Sequence, residues 1–432
     1  MGTLTVNVIT LGCKVNRCES GSIITTLREH GFNASEGLEP ADVYVLNTCS
    51  VTAEADKKSR QYLAKMRKLN PDCRIIVVGC SSQNDREKFL QSNVFAVGGT
   101  RNKSQFVLNC LAELKNKPKT DKYSIISDII LYENFDKSEG TYSYCYESYP
   151  SNSSTRAFIK IQDGCDRFCT YCIIPYLRGR SRSRSIDDIV SECEGIESRE
   201  IVLTGIDMSA YGKDIGRTFS ELIRAMSGFD ARKRIGSLEC EVVDDELLSA
   251  MSEGNFCPHF HLSLQSGNNA VLRSMNRKYD CDFYYGKVEL IRKYFPTAGI
   301  TTDIIVGFPT ETQEYFDESC AFIEKCAFSD IHVFPYSSRA GTLAAKKYKT
   351  LPPDTVKERV AKLLEIKKTL HDRFIADNIG SIATVYTEDL ENGYNVGYTP
   401  NYIKVYSSAP CGEITTLKLT ESFADGLLGV PI

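Results

Sequence analysis

Phe158-Ile159-Lys160-Ile161-Gln162-Asp163-Gly164-Cys165-Asp166-Arg167-Phe168-Cys169-Thr170-Tyr171-Cys172 carries three cysteines on one loop, directly after an apolar strand pattern at 158–161. Three thiolates are one short of the set that closes a structural zinc site, whereas a four-iron cluster held by three cysteines keeps one iron open to another ligand. A zinc loop or three unrelated thiols is the competing reading. Around this loop the pattern repeats: apolar strands are expected near 158–161, 201–203, 234–238, 259–264, 301–306 and 331–334, with helices such as 186–197 and 284–294 between them. Six such units predict a partial (β/α)6 barrel of parallel strands, and a site at the strand C-termini is where the cysteine loop falls.

Upstream, three more apolar runs each end in a cysteine: 4–11 before Gly12-Cys13, 43–46 before Asn47-Thr48-Cys49, and 75–78 before Gly79-Cys80. Helical patterns at 19–30 and 53–69 separate them, so the series predicts an N-terminal parallel α/β domain whose strand C-termini share one edge. Ligands of such sheets lie outside those ends, and the three cysteines are expected to converge there as a second cluster site. A cysteine at any one of these places is more often a packed thiol; three at equivalent places argue for ligands. Other cysteines, such as Cys18, Cys73, Cys110 and Cys193, match no ligand motif and are read as packed or surface thiols.

The spacing of Cys165, Cys169 and Cys172, with an aromatic residue before the last, resembles the radical S-adenosylmethionine (SAM) superfamily. Leu11-Gly12-Cys13-Lys14-Val15-Asn16, Asn47-Thr48-Cys49-Ser50-Val51-Thr52 and Val78-Gly79-Cys80 extend the likeness over essentially the whole chain to the methylthiotransferases. The resemblance implies two [4Fe-4S] clusters, one held by Cys165, Cys169 and Cys172 with SAM on the open iron, the other, auxiliary, held by Cys13, Cys49 and Cys80. It also implies that one SAM gives a methyl group to sulfur at the auxiliary cluster while another is cleaved to a radical that activates a substrate carbon. No protein acid or base is assigned, since the chemistry would take place at the clusters. Gly-Cys-Lys-Val-Asn and Asp56-Lys57-Lys58-Ser59-Arg60 look most like the branch acting on N6-threonylcarbamoyladenosine at position 37 of tRNA. The sister branches act on isopentenyladenosine in tRNA or on an aspartate of a ribosomal protein, and a non-enzymatic two-cluster electron carrier is the reading from another class. Two departures stand out: Ser263 replaces the usual proline before Leu264-Gln265-Ser266-Gly267, and Ile206 to Gly212 lacks the usual His-Thr-Gly-Gly portion.

Candidate SAM contacts lie at the strand ends. Thr204 and Gly205 follow the second strand, Ser237 and Glu239 the third, Gln265 the fourth; Asp303 is on the fifth, and Gly307 opens a Gly-Phe-Pro-Thr-Glu segment like the superfamily's adenine region. A cap or turn is the plainer role for each. Arg178, Arg180, Arg182 and Arg184 form a basic run after the cysteine loop and before Ser185-Ile186-Asp187-Asp188, which reads as a capping box. Beside an RNA-modifying site this run, like Lys57-Lys58-Ser59-Arg60, is expected to hold phosphates; a solvated face is the bland alternative.

Residues 140–155, rich in tyrosine and serine, read as a linker between domains 1–139 and 156–379. The second of these ends in a helix at 355–379. After Gly380, short alternating patterns predict a small antiparallel β domain, 380–432, resembling the RNA-binding TRAM module that ends this family. A chain of 432 residues with 42% apolar and 25% charged residues holds several cores. Its 17 cysteines suit a reducing compartment, and neither a signal peptide nor a membrane-length apolar run is evident. The expected setting is cytoplasmic, with no membrane. The expected partners are tRNA and an electron donor such as flavodoxin or ferredoxin, acting on a monomer. The net charge of −4 excludes a uniformly basic nucleic-acid wrapper but leaves room for a local basic patch.

Overall fold

The computed structural model describes residues 4–116, 126–128 and 156–432; the expected linker at 140–155 lies outside the described residues. The N-terminal unit is a six-stranded sheet in the order Asn33–Glu36, Thr5–Thr10, Val43–Thr48, Arg74–Gly79, Val94–Gly98, Ile126–Asp128, parallel throughout. Val43–Thr48 is buried at every position because helices cover both faces of a central parallel strand, which explains its unbroken apolar run. The flanking strands Asn33–Glu36 and Ile126–Asp128 carry too little apolar signal to be read from sequence. Thr5–Thr10, Val43–Thr48 and Arg74–Gly79, the three strands that lead to cysteines, are immediate neighbours.

The central unit is the expected six-stranded partial barrel. Arg156–Lys160, Glu200–Thr204 and Arg232–Ile235 form one parallel sheet; Ser237–Leu238, His259–Leu262, Gly299–Val306 and Asp330–Pro335 form the other. The expected strand 234–238 is broken at Gly236, which hands the wall from one sheet to the next while its N–H still bonds the Leu203 carbonyl at 2.9 Å. One large core, from Ile159 to Leu370, fills the space between this wall and the outer helices. Helix Pro353–Asp377, close to its expected span, packs on the last strand, with Lys367 bonded to Asp330.

The C-terminal unit is a closed five-stranded barrel rather than an open sheet. Its pairs are antiparallel except Lys404–Ser407 with Gly426–Pro431, which run parallel. It caps the strand N-termini of the central barrel: Arg156 pairs with Glu388, Arg234 donates to the Pro400 carbonyl, and Tyr402 stacks on His259 with ring centroids 4.5 Å apart. No helix among the described residues is long and apolar enough to cross a membrane.

Candidate active site

The three upstream cysteines meet at the sheet edge. Cys13 N-caps helix Lys14–Glu29, Cys49 follows the next strand, and Cys80 opens the short helix Cys80–Asn84. Gly12, with a φ of +97°, lies so close to Cys49 that a Cβ there would collide with its sulfur. The polar residues between the cysteines lock these turns together. Asn16 donates to the carbonyls of Leu11 (2.8 Å) and Thr48 (2.9 Å), and Asn47 donates back to the Asn16 carbonyl. Burial pushes the Cys49 thiol up to about 11, with Cys80 and Cys13 adding to the shift.

The other three cysteines share one loop. Its base is closed by the antiparallel pairing of Gln162-Asp163 with Arg182-Ser183, and Cys165 N–H bonds the Gly179 carbonyl at 3.1 Å. Phe168 takes a left-handed φ of 47°, which turns the chain between Cys165 and Cys169. Arg277 donates to Cys169 Sγ at 3.3 Å and pairs with Glu239; Arg167 is held by Asp207 at 2.9 Å and Glu241 at 2.9 Å. Burial raises the Cys172 thiol to about 12 and carries Cys165 further, Asp207 adding to the latter.

The two sets are joined through one apolar contact. Ile173, next to Cys172, and Leu177 form an apolar cluster with Cys80. Below it lies a buried ionic cluster: Glu19 accepts from Lys103 (2.6 Å), Lys160 (2.7 Å) and Arg178 (2.9 Å), while Asp163 accepts from Lys160, Arg178 and Arg182. Burial opposes ionisation of Glu19, but Arg178, Lys103 and Lys160 outweigh it and hold the carboxyl well below its usual range. Asp163 is depressed in the same way by Lys160, Arg178 and Arg182. Four cations against two carboxylates leave a positive excess beside Cys80, which suits an anionic thiolate-ligated group. Arg339 makes a second tie between the units, pairing with Asp56 and donating to Ser50 at 2.7 Å.

Both sets fit an iron–sulfur cluster by their donor chemistry. Each offers three thiols, and every cysteine among the described residues is free. Backbone N–H groups of Val51, Arg167 and Ile174 point at Cys49, Cys165 and Cys172 respectively. The remaining thiols singled out in the sequence, Cys18, Cys73, Cys110 and Cys193, are buried in packing.

The arginine run does not form one solvent-facing row. Arg178 and Arg182 are buried in the ionic cluster and Arg184 is buried against Glu192, because the run returns under the cysteine loop to close its base. Arg180 alone is exposed, paired with Asp166 at 3.1 Å and lying over the Phe168 ring. Ser185 N-caps the next helix by accepting from the Asp188 N–H, without the reciprocal bond of the expected capping box. The exposed basic face near the cysteines is instead on helix Ala53–Leu69, with Lys57, Lys58, Lys65 and Lys68. The C-terminal barrel is acidic, with six carboxylates and two lysines across 382–431.

The candidate SAM contacts divide. Glu239 lies beside Arg277 and thereby Cys169; Asp303 meets His261 at 3.2 Å in the barrel lumen, with His332 next to both. Ser237 is exposed and in register with His261. Gln265 has a left-handed φ of 70°, its backbone bonded on both sides to the Asp303 strand. Thr204 is buried at its strand end; Gly205 packs against Met208, where a Cβ would come within 2.8 Å. Gly307, at φ +76°, abuts Val356 of the long helix and donates to Glu311, so packing accounts for this glycine. Sequence reasoning missed Arg167, Asp207 and Arg277, which brace the cysteine loop from separate turns; no local spacing marks them.

Residues 5–98 match the family described as Uncharacterized protein family UPF0004, and residues 159–323 match the Radical SAM superfamily. The chain is 35% identical over 416 residues to the threonylcarbamoyladenosine tRNA methylthiotransferase MtaB of Bacillus subtilis, covering 93% of this chain and 90% of the relative. It is 30% identical over 441 residues to the tRNA-2-methylthio-N(6)-dimethylallyladenosine synthase of Endomicrobium trichonymphae, covering 97% and 98%. Among solved structures, the radical SAM methyltransferase TsrM of Kitasatospora setae superposes with a TM-score of 0.54 at 12% identity, over 80% of this chain and 77% of that one, which is a likeness of fold.

Proposed function

The chain belongs to the radical SAM tRNA methylthiotransferase family, and from that premise we propose that it adds a methylthio group to C2 of N6-threonylcarbamoyladenosine at position 37 of tRNA. The observation that carries this reading is the presence of two three-thiol sets, one on the loop 165–172 and one at the ends of three neighbouring strands, joined where Cys80 packs on Ile173 and Leu177. With clusters on both sets, Cys165, Cys169 and Cys172 would serve SAM binding and one-electron cleavage, and Cys13, Cys49 and Cys80 the sulfur to be transferred. Gly12-Cys13-Lys14-Val15-Asn16 and Asp56-Lys57-Lys58-Ser59-Arg60 resemble the threonylcarbamoyl branch more than the isopentenyl one and support that choice.

Within this reading the chain's own residues orient the site. Arg277 donates to the Cys169 sulfur and fixes its position in the loop. Gln162 accepts from the N–H groups of Ile206 and Asp207 and fixes the turn beside Cys165. Tyr402 stacks on His259 at the strand N-termini of the central barrel. Glu239, beside the cysteine loop, and Asp303 and Gln265 on neighbouring strands are the polar groups that would meet SAM, with Thr204, Gly205 and Ser237 at the strand ends beside them. Arg180 and the lysines at 57 and 58 would hold tRNA phosphates, and an electron donor such as flavodoxin or ferredoxin would supply electrons to a monomer. The target base sits in a single-stranded loop, so extruding it costs little. Mass spectrometry of tRNA nucleosides from cells with and without the gene tests the proposal: loss of the 2-methylthio mass from threonylcarbamoyladenosine supports it, and loss from isopentenyladenosine instead overturns it.

A further inference from the structure

Lys14 directly follows Cys13 and begins helix Lys14–Glu29. That helix lies along Arg156–Lys160, an edge strand of the open barrel: Cys18 donates to the Phe158 carbonyl at 3.2 Å and Arg17 stacks over the Phe158 ring. This packing brings the Lys14 ammonium into the field of Arg156, Glu200, Arg234 and Asp303, on four different strands around the lumen. The nearby carboxylates are already engaged. Glu200 accepts from Arg156 (2.8 Å), Arg232 (2.7 Å) and Arg234 (3.2 Å), and Asp303 meets His261. Lys14 makes no hydrogen bond or ion pair among the described residues, and its side chain is reachable from solvent.

A lysine held among arginines whose carboxylates are already shared is placed for an incoming anion. Its position one residue from Cys13 restricts which anion. A base whose C2 approaches the sulfur site presents its N6 substituent a few bonds away, on the same edge of the ring. We propose that Lys14 reads the carboxylate on the N6 side chain of the target adenosine, and so sets which modified adenosine the enzyme accepts. This rests on the substrate reading above and adds the residue that enforces it. An isopentenyl group offers no charge, and in its place Lys14 would be desolvated without a partner.

The test uses the full-length reconstituted protein and anticodon stem-loop RNAs that differ only at N6: threonylcarbamoyl, its neutral carboxamide, and isopentenyl. Methylthiolation is followed by mass spectrometry for the wild type, Lys14→Met and Lys14→Arg. The wild type should prefer the acid to the carboxamide by about 10- to 100-fold, the worth of one charge-assisted contact. Lys14→Met should bring the acid down to the carboxamide's rate, and Lys14→Arg should restore part of the preference. The ratio is internal to each variant, so unequal iron loading cancels; for an inactive variant the same ratio is read as RNA affinity. A preference that survives in Lys14→Met, or a wild type that treats acid and carboxamide alike, overturns the assignment of Lys14 and leaves the substrate reading standing. A wild type that modifies the isopentenyl RNA and leaves the threonylcarbamoyl RNA untouched overturns both.

Discussion

Cys165, Cys169 and Cys172 are carried by a single loop, whereas Cys13, Cys49 and Cys80 come from the ends of three neighbouring strands of a parallel sheet. The first set needs little more than local turns and one closing pair, Gln162-Asp163 with Arg182-Ser183. The second depends on sheet register and on Asn16 and Asn47 tying separate turns together. Assembly of the second set is therefore a property of the whole N-terminal fold, and the ionic cluster around Glu19 and Asp163 presses that fold against the loop carrying the first set.

The sharpest break of this comparison removes one set at a time. Replacing Cys165, Cys169 and Cys172 with alanine should lower the reconstituted iron from about eight to about four per chain and abolish SAM cleavage, measured as 5′-deoxyadenosine. Continued formation of that product in the triple variant would overturn the assignment. Alanine at Cys13, Cys49 and Cys80 should remove a similar share of iron and end methylthiolation, while 5′-deoxyadenosine formation persists. If both triple variants lose SAM cleavage equally, the division of labour between the sets is wrong.

Next in size is the contact between the two regions. Glu19→Gln leaves Lys103, Lys160 and Arg178 short of a buried counter-charge, and removing one partner of such a network costs about 3–5 kcal/mol, to be read from denaturant unfolding. The same residue makes the junction acid-sensitive. The folded carboxyls of Glu19 and Asp163 are depressed, so their contribution is complete above the unfolded value near pH ~4. It fades as pH falls through the folded values. Stability of the wild type should drop in acid, and Glu19→Gln should flatten that drop; parallel profiles would remove Glu19 from the account.

The smallest effects belong to the surface. Arg180→Gln breaks an exposed ion pair with Asp166 and should change stability by about 0–1 kcal/mol. In salt titrations of tRNA binding it should lower the log–log slope by about 0.7–0.9, as should each of Lys57→Gln and Lys58→Gln. An unchanged slope in all three variants would move the tRNA footprint off this face.

Sequence alone was enough for the three cysteine-bearing strands of the N-terminal sheet, the six-stranded partial barrel, the loop triad and the strand-end position of the other three cysteines, because periodicity and spacing are local properties of the chain; the other three strands of that sheet, Asn33–Glu36, Val94–Gly98 and Ile126–Asp128, were found only in the fold. It also led to the C-terminal β unit, though not to its closure or its parallel pair, since strand closure is a register between distant segments. Tertiary structure decided the fate of the charges. Arg178, Arg182 and Arg184 look in sequence like a phosphate-binding run, and the returning loop buries them. Lys14 looks like one more surface lysine, and packing along the barrel's edge strand brings it to the lumen. A charge carries the same label in either setting; the fold determines whether it meets a carboxylate, water or an approaching ligand.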